Sequence, residues 1–299
     1  MPATPSRLDP AVHQVPKIVF LHIPKTAGMS LHGLFIRNYR GMGIFNVGVK
    51  DITEEEWQGC LQRIRNISPD ELDKYVVFKG HMIFGLHELL PGPVEYITFL
   101  RDPVKRIVSH YKMVRGLRGF SPGHMIDPSK NLWNLGEYPA FCRSLDNYQT
   151  RALAGIDFEL PFGACTEKHL RMAVDNMDRH FKFVGLTEQF DLSLMLMRHV
   201  CGWGWRYYIS DNVGSDSSVE VPAKVLEALR ELNRFDFELY RHAREKFDRM
   251  VEHYGWRLRA ECQAYRLGNQ IHLRLHQGRH KIKQQLGIEG RRVMGSGGN

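Results

Sequence analysis

Long apolar runs are missing from this chain of 299 residues. No stretch approaches the ~18 consecutive apolar residues that a membrane-spanning helix needs. The sequence does not open with a charged segment followed by an apolar one, as a secretory leader would. Internal repeats and low-complexity blocks are absent as well. We therefore expect a globular chain without a membrane span, and we predict a cytoplasmic location.

Cysteine is also scarce, and its spacing argues against two common uses. The five cysteines form no CxxC pair, and an odd number does not suit a closed disulfide framework. We expect reduced thiols without a catalytic role at Cys60, Cys142, Cys165, Cys201 and Cys262.

One histidine pattern is compatible with a metal. His272, His276 and His280 recur every four residues and would form one stripe on a continuous helix. Gly278 and the lack of a carboxylate or cysteine partner argue against a site there. We predict no metal, and we interpret the stripe as a basic face that is solvated or contacts an acidic partner.

Acidic residues are few near the C-terminal end. The whole chain has a formal net charge of +8, yet residues 257–292 alone hold nine Lys or Arg against two Glu, a net of +7. The rest of the chain is close to neutral, which argues against a nucleic-acid partner for the body of the protein. We expect the basic tail to contact an acidic partner, such as an acidic glycan, or a second subunit.

The most informative segment is His22-Ile23-Pro24-Lys25-Thr26-Ala27-Gly28-Met29-Ser30. It follows an apolar run over 17–21 and precedes an amphipathic one, which predicts a strand, a tight loop and a helix. Such a loop directs backbone N–H groups and a helix N-terminus at one point, where a phosphate or sulfate is favoured. Lys25 adds a full positive charge. The segment is not a Walker A motif, because its Lys precedes its only Gly.

A second element of this kind follows the predicted strand over 94–100. It reads Arg101-Asp102-Pro103-Val104-Lys105-Arg106-Ile107-Val108-Ser109-His110-Tyr111, and Pro103 suits the first position of a helix. The guanidinium of Arg101 can grip a phosphate dianion through charge-assisted hydrogen bonds, and Ser109 can add a hydroxyl two turns into the helix. Taken singly, these residues could equally form a surface salt bridge and a solvated hydroxyl.

Together, HIPKTAGMS and RDPVKRIVSHY resemble the sulfotransferase family, in the carbohydrate branch that includes heparan sulfate 2-O-sulfotransferases. The resemblance implies that the first loop holds the 5'-phosphosulfate of 3'-phosphoadenosine 5'-phosphosulfate (PAPS). It also implies that the second element holds the 3'-phosphate, and that the product is 3'-phosphoadenosine 5'-phosphate (PAP). The implied cofactor-binding set is Pro24, Lys25, Thr26, Ala27, Gly28, Met29, Ser30, Arg101 and Ser109.

Short apolar strands alternate with helical patterns, which predicts an α/β fold with a central parallel sheet flanked by helices. We expect a P-loop-like three-layer sandwich over 15–256, a Pro-rich extension at 1–14 and a basic, partly disordered tail at 257–299. Residues 112–138 indicate a long ordered loop or lid. Because ligands bind at the carboxyl ends of such strands, Lys25, His81 and Arg101 should share one rim.

Sulfuryl transfer to a hydroxyl needs a base for the proton and a cation for the departing phosphate oxygen. Lys25 is the predicted cation, a role that the resemblance also implies. His81 is the predicted base, because it directly follows a buried strand and Gly80 permits close approach. Its Gly-His pair also resembles the catalytic-histidine region of the carbohydrate sulfotransferases. A histidine that caps the sheet is the alternative, and His87 and Glu88 are rival bases.

Two more residues are predicted near the acceptor. His22 precedes the first loop and is interpreted as structural, although its imidazole could touch the acceptor. Arg151 follows the lid-like segment on a helix with Asn147 and Gln149, where the resemblance implies acceptor and cofactor contacts. A solvated helix face explains that segment nearly as well.

The preferred function is therefore metal-independent O-sulfation of an acceptor, a carbohydrate by resemblance, through direct in-line transfer. A non-catalytic protein that binds the nucleotide or a sulfated glycan is the alternative, and the missing Walker A spacing disfavours a nucleotide kinase. The acceptor stays open among a saccharide, a lipid-linked sugar and a small hydroxylated metabolite, because lid-like loops set specificity.

Overall fold

A computed structural model describes residues 16–47, 54–115, 145–156, 160–208 and 221–285. Five parallel strands form one sheet in the order β2-β3-β1-β4-β5. They are β1 (Lys17–Leu21), β2 (Gly43–Val47), β3 (Tyr75–Gly80), β4 (Val94–Leu100) and β5 (Phe181–Leu186). The predicted α/β fold with a central parallel sheet is confirmed.

Helices flank this sheet, and the central strands are buried accordingly. Every residue of β1 and the last five of β4 are buried, as expected for strands covered on both faces. The helices of the described ranges are α1 (Gly28–Asn38), α2 (Glu54–Arg65), α3 (Pro69–Leu72), α4 (Pro103–Arg115), α5 (Tyr148–Ala154), α6 (Glu167–His180), α7 (Phe190–Cys201), α8 (Ala223–Leu232) and α9 (Arg234–Gln285).

The strand order reverses beside β1. From β1 the chain moves to β2 at one edge, returns to β3 next to β1, and then crosses to β4 on the other side. Strands β1 and β4 are joined near their carboxyl ends, where the Thr98 hydroxyl donates to the Leu21 carbonyl oxygen at 2.8 Å. Ligands of open α/β sheets bind at such a reversal, outside the carboxyl ends of the strands. The loops after β1 and β4 therefore flank the expected binding crevice.

The sequence predicts that the fold ends near Trp256, but the structure shows that it continues beyond this residue. Helix α9 bends at Gly255, whose φ is 64°, and then continues to Gln285. Beyond the bend, Leu258, Cys262 and Tyr265 are buried in the main hydrophobic core. Their spacing of four and three residues places them on one face of the helix. The basic character of the segment conceals this apolar stripe, so the boundary between fold and tail needs correction.

Several expectations concern residues outside the described ranges: the extension at 1–14, most of the lid-like segment 112–138, Cys142 and the end of the tail. The four described cysteines, Cys60, Cys165, Cys201 and Cys262, are free thiols. Among the helices described, none is both long enough and apolar enough to cross a membrane.

Candidate active site

The loop between β1 and α1 has a strained backbone. Lys25 has φ 71° and Ala27 has φ 65°. These left-handed values cost a non-glycine residue roughly 1–3 kcal/mol each. Thr26 lies between them, fully buried, and its hydroxyl donates to the Ile23 carbonyl oxygen at 2.7 Å. Left-handed residues in a tight turn direct neighbouring backbone N–H groups into a concavity that suits an anion.

Gly28 is required where α1 begins, because the imidazole of His22 lies against it. A Cβ on Gly28 would overlap the His22 ring. The backbone N–H of His22 also donates to the Gly80 carbonyl oxygen at 3.0 Å, which fixes the start of the loop to β3. His22 therefore packs against the start of the loop as a half-buried residue, and its structural role or contact with an acceptor stays a prediction.

Arg101, directly after β4, is fixed from two sides. Its backbone N–H donates to Oε1 of Gln149 at 2.9 Å, and Nε2 of Gln149 donates back to its carbonyl oxygen at 2.8 Å. Its Nη1 donates to the Lys25 carbonyl oxygen at 3.0 Å. The loops after β1 and β4 are thus joined across the crevice, and the Arg101 guanidinium lies beside the strained loop.

The two cations at this rim differ in their acidic neighbours, and neither donates a hydrogen bond to a carboxylate within the described ranges. Within the described ranges, Lys25 has no hydrogen-bonded or ion-paired carboxylate, and burial followed by the charge of Arg101 lowers its pKa. Nε of Arg101 is buried without a hydrogen-bond partner there, and the Glu188 carboxylate lies 4.0 Å away. Glu188 itself accepts from the Asp102 backbone and from the Tyr240 hydroxyl. Two partly desolvated cations with only one distant carboxylate, that of Glu188, suit an anionic ligand.

Ser109 lies two turns into α4 and is half-buried. Asp102 caps this helix, accepting from the Lys105 backbone N–H at 2.9 Å, and its position seven residues earlier puts it on the same face as Ser109. No described contact joins Ser109 to Lys25 or Arg101. In the first loop, Met29 is exposed, while Pro24, Ala27 and Ser30 are half-buried.

His81 meets the loop through His22. The two imidazole rings have centroids 4.5 Å apart and planes at 37°. Lys25, His81 and Arg101 therefore share one rim, as the sequence predicts. The pKa of His22 is held well below its ordinary value, first by burial and then by the charges of His81, His32, Lys79 and Lys25. A lowered pKa favours the neutral imidazole, which is the form that accepts a proton.

Sequence reasoning missed two of these basic groups, Lys79 and His32. Lys79 is 4% exposed, and its Nζ lies 2.7 Å from Nδ1 of His32 and 2.7 Å from Oδ1 of Asn46. An ammonium donor requires Nδ1 of His32 to accept, which places the proton of the neutral ring on Nε2. Burial lowers the pKa of Lys79. A lysine inside the otherwise apolar strand Tyr75–Gly80 was the signal that could have revealed it.

The rival bases lie elsewhere. Nδ1 of His87 is 3.1 Å from the Tyr96 hydroxyl. Tyr96 precedes the carboxyl end of β4 by four residues, roughly 13 Å along the strand. Glu88 lines a separate cavity of about 250 Å³ together with Trp57 and Phe84. Neither group belongs to the rim that holds Lys25.

Arg151 is not placed for acceptor binding, which corrects the prediction. Its side chain is 0% exposed, and its Nη1 donates to Oδ2 of Asp146 at 2.7 Å. Its Nη2 donates to the Leu160 carbonyl oxygen. Because a buried guanidinium needs a carboxylate and further acceptors around it, this arrangement indicates a structural ion pair that organises the turn before α5.

Gln149 and Asn147, which precede Arg151 in the sequence, have different structural roles. Gln149 positions Arg101 through the two backbone hydrogen bonds already described. Asn147 caps α9, because its Oδ1 accepts from the backbone N–H groups of Phe235 and Asp236 at 2.9 and 3.0 Å. The predicted helix segment thus supports the rim from behind, and it is buried rather than solvated.

Comparisons with known proteins agree with this geometry. The family model of galactose-3-O-sulfotransferases matches residues 2–294. Heparan-sulfate 6-O-sulfotransferase 2 of Danio rerio is 28% identical over 224 residues, covering 66% of this chain and 46% of the relative. Galactose-3-O-sulfotransferase 2 of Sus scrofa is 25% identical over 220 residues, covering 66% of this chain and 50% of the relative. Galactosylceramide sulfotransferase of Bos taurus is 24% identical over 272 residues, covering 85% of this chain and 62% of the relative.

The chain spans about half the length of the first two of these relatives. The match to the family model is much broader, since it extends over nearly the entire sequence. The resemblance to carbohydrate sulfotransferases that the two loop motifs indicate is confirmed. The chain belongs to the galactose-3-O-sulfotransferase family.

Proposed function

We propose that this protein transfers a sulfuryl group from PAPS to a hydroxyl of a saccharide acceptor by direct in-line transfer. The observation that carries the proposal is the pair of Lys25 and Arg101. These two cations lie at the carboxyl ends of β1 and β4, joined by the 3.0 Å hydrogen bond from Arg101 to the Lys25 carbonyl oxygen. Neither has a hydrogen-bonded carboxylate within the described ranges.

The residues present fit a donor with two separate phosphate groups. The concave backbone from Pro24 to Ser30 would hold the 5'-phosphosulfate together with the Lys25 ammonium. Arg101, whose Nε has no hydrogen-bond partner among the described residues, and Ser109 on α4 would hold the 3'-phosphate. PAPS supplies the sulfuryl group when bound. Gln149 supports this role, because it fixes the backbone of Arg101 and so preorganises the guanidinium.

His81 would take the proton of the acceptor hydroxyl, and Lys25 would stabilise the negative charge on the departing phosphate oxygen. His22 lies beside His81, and its pKa is lowered first by burial and then by the surrounding positive charges. Cations around an imidazole favour its neutral form, which is the form that accepts a proton. We assign the base to His81 because it follows β3 directly at the rim, while His22 supports the loop against Gly28.

The acceptor class rests on the relatives. Their names refer to galactose, galactosylceramide and heparan sulfate, and all three carry sugar hydroxyls. We propose a saccharide hydroxyl, on a free or a lipid-linked sugar. The cytoplasmic location stays a prediction, and so does contact of the tail with an acidic partner.

A transfer assay with labelled PAPS and a panel of galactosides, galactosylceramide and desulfated heparan tests the proposal. We expect transfer to at least one acceptor. His81→Asn should lower turnover by roughly 100-fold or more, the range of general-base contributions, and leave PAP binding intact. His87→Asn is the matched control for the rival base and should retain turnover. PAP binding without transfer to any acceptor would instead support a non-catalytic binder, and preference for ATP would support a kinase.

A further inference from the structure

The part of α9 beyond Gly255 has two faces of opposite character. The inner face is built into the protein: Leu258, Cys262 and Tyr265 are buried. Oδ1 of Asn269 accepts from the Tyr208 backbone N–H at 3.0 Å. Packing of the inner face therefore fixes the orientation of the helix, and this orientation decides which side chains lie on the outer face.

The outer face carries large apolar side chains that the described residues leave exposed. Trp256 is 74% exposed, Leu267 62%, Ile271 52% and Leu275 60%. At 3.6 residues per turn they lie within a sector of about 100° and extend over roughly 29 Å. Two exposed alanines complete this outer stripe, which consists of Trp256, Ala260, Ala264, Leu267, Ile271 and Leu275.

Scattered exposed apolar residues are ordinary on a protein surface, but a continuous row of them marks an interaction surface. The spacing here is helical, so the row forms one straight edge. On the same protein, Ile36 and Met42 are comparably exposed at 45% and 57% without belonging to such a row. The outer stripe is thus distinguished by continuity.

The charge beside the outer stripe is positive, and acidic residues of the described ranges do not neutralise it. Glu261 is the only acidic residue between Trp256 and Gln285, and it is engaged by Arg198 at 3.1 Å and His199 at 2.8 Å. Arg259 and Arg274 are exposed and have no acidic partner within the described ranges. They lie close to the apolar row, so a partner that covers the stripe also meets these guanidinium groups.

We propose that the outer stripe of α9 docks on an anionic lipid surface. A fixed amphipathic helix that combines a large apolar row with flanking arginines suits the boundary between lipid headgroups and acyl chains. Lipid phosphates accept hydrogen bonds from the arginines, and the acyl region takes up Trp256, Leu267, Ile271 and Leu275. The proposal is independent of sulfuryl transfer.

Two other occupants fit the observations less well. A second copy of the chain would bring Arg259 and Arg274 against the same charges of its partner, which is unfavourable. A sulfated glycan or another soluble polyanion would pair with the arginines but leave the leucines and isoleucine in water. Of these three occupants, the anionic lipid surface alone satisfies the apolar row and the charge together.

Vesicle sedimentation with the full chain tests the proposal. We expect wild type to bind phosphatidylcholine vesicles that contain phosphatidylglycerol at least about tenfold more strongly than pure phosphatidylcholine, with binding that weakens as salt rises. The triple variant Leu267→Gln, Ile271→Gln, Leu275→Gln should lose at least about tenfold in binding. Ile36→Gln with Met42→Gln, two exposed apolar residues outside the stripe, should bind as wild type does.

A second pair of variants tests the charges separately. Arg259→Gln with Arg274→Gln should weaken binding to the anionic vesicles, and Arg40→Gln with Arg230→Gln, which changes net charge equally at exposed sites, should not. Circular dichroism confirms that each variant folds. Equal binding to neutral and anionic vesicles, no binding to either, or binding unaffected by the triple variant would overturn the proposal. Dimerisation that the triple variant abolishes, without vesicle binding, would assign the stripe to a second copy instead.

Discussion

Arg101 and Arg151 are two arginines on adjoining elements of the same molecule, yet their surroundings are opposite. Arg151 is 0% exposed and ion-paired with Asp146 at 2.7 Å. Arg101 keeps 26% of its side chain exposed, lies 4.0 Å from the Glu188 carboxylate and has an unpartnered Nε within the described ranges. One charge is neutralised inside the protein, and the other is oriented by Gln149 and left available.

The difference separates a structural arginine from a binding one. A buried charge without a partner is unfavourable, so the fold neutralises Arg151 with a carboxylate and backbone carbonyls. At the rim, Lys25 and Arg101 are partly desolvated without a close carboxylate, and an incoming anion can offset the free-energy cost of that desolvation. The strained backbone at Lys25 and Ala27 belongs to the same region, which fits the tendency of strain to gather at binding sites.

The largest expected effect on stability comes from Arg151→Met. The substitution leaves Asp146 buried without its cation, and we expect the free energy of unfolding to fall by about 3–5 kcal/mol. Arg101→Met should change it by less than about 1 kcal/mol, because that side chain is partly exposed and lacks a close ion pair. Urea denaturation of both variants measures the contrast. Equal losses would contradict the distinction between the two arginines.

A smaller effect is expected from Gly28→Ala, because the added Cβ overlaps the His22 imidazole. Displacing that ring should cost about 1–3 kcal/mol of stability and weaken PAP binding through the distorted loop. Gly33→Ala in the same helix is the matched control, since its Cβ would meet only the Arg37 guanidinium at 3.8 Å. Thermal unfolding and PAP titration of both variants provide the comparison, and similar behaviour would remove the argument for Gly28.

The smallest effect concerns pH. The pKa of His22 is lower in the folded protein than in the unfolded chain, so the unfolded state binds more protons as the pH falls below about 6.5. Stability should therefore decrease toward acid, with a contribution from His22 of at most about 1.4 kcal/mol per pH unit. Urea denaturation between about pH 7 and 5 should show a shallower slope for His22→Gln, with the exposed His276→Gln as control. An unchanged slope in His22→Gln would contradict this environment.

Local sequence patterns predicted the central part of the molecule well. The strands over 17–21 and 94–100 are largely apolar runs. A positively charged residue follows each of them, Lys25 after the first and Arg101 after the second. Because parallel strands present their carboxyl ends at one edge, Lys25, His81 and Arg101 could be brought together without coordinates. The edge strand β2 escaped notice, because it is short, half-exposed and lacks an apolar run.

Properties that depend on distant partners could not be predicted. Arg151 looks like a solvated helical arginine until Asp146 and the Leu160 carbonyl are folded around it. Lys79 likewise gains its role from His32 and Asn46, which belong to other elements. In the distal part of α9, frequent arginines hide the buried residues Leu258, Cys262 and Tyr265. Burial of polar residues is set by tertiary contacts, which a single sequence does not display.

Isothermal titration of PAP against wild type and Arg101→Met, with 5'-AMP and ATP as comparison ligands, tests whether Arg101 binds the 3'-phosphate. We expect PAP to bind more tightly than 5'-AMP, and Arg101→Met to weaken PAP binding roughly 10- to 100-fold, as expected for lost charge-assisted hydrogen bonds. The affinity for 5'-AMP should fall much less in Arg101→Met. Equal PAP affinity in the two proteins, or a preference of wild type for ATP, would contradict the assignment of this rim to the 3'-phosphate.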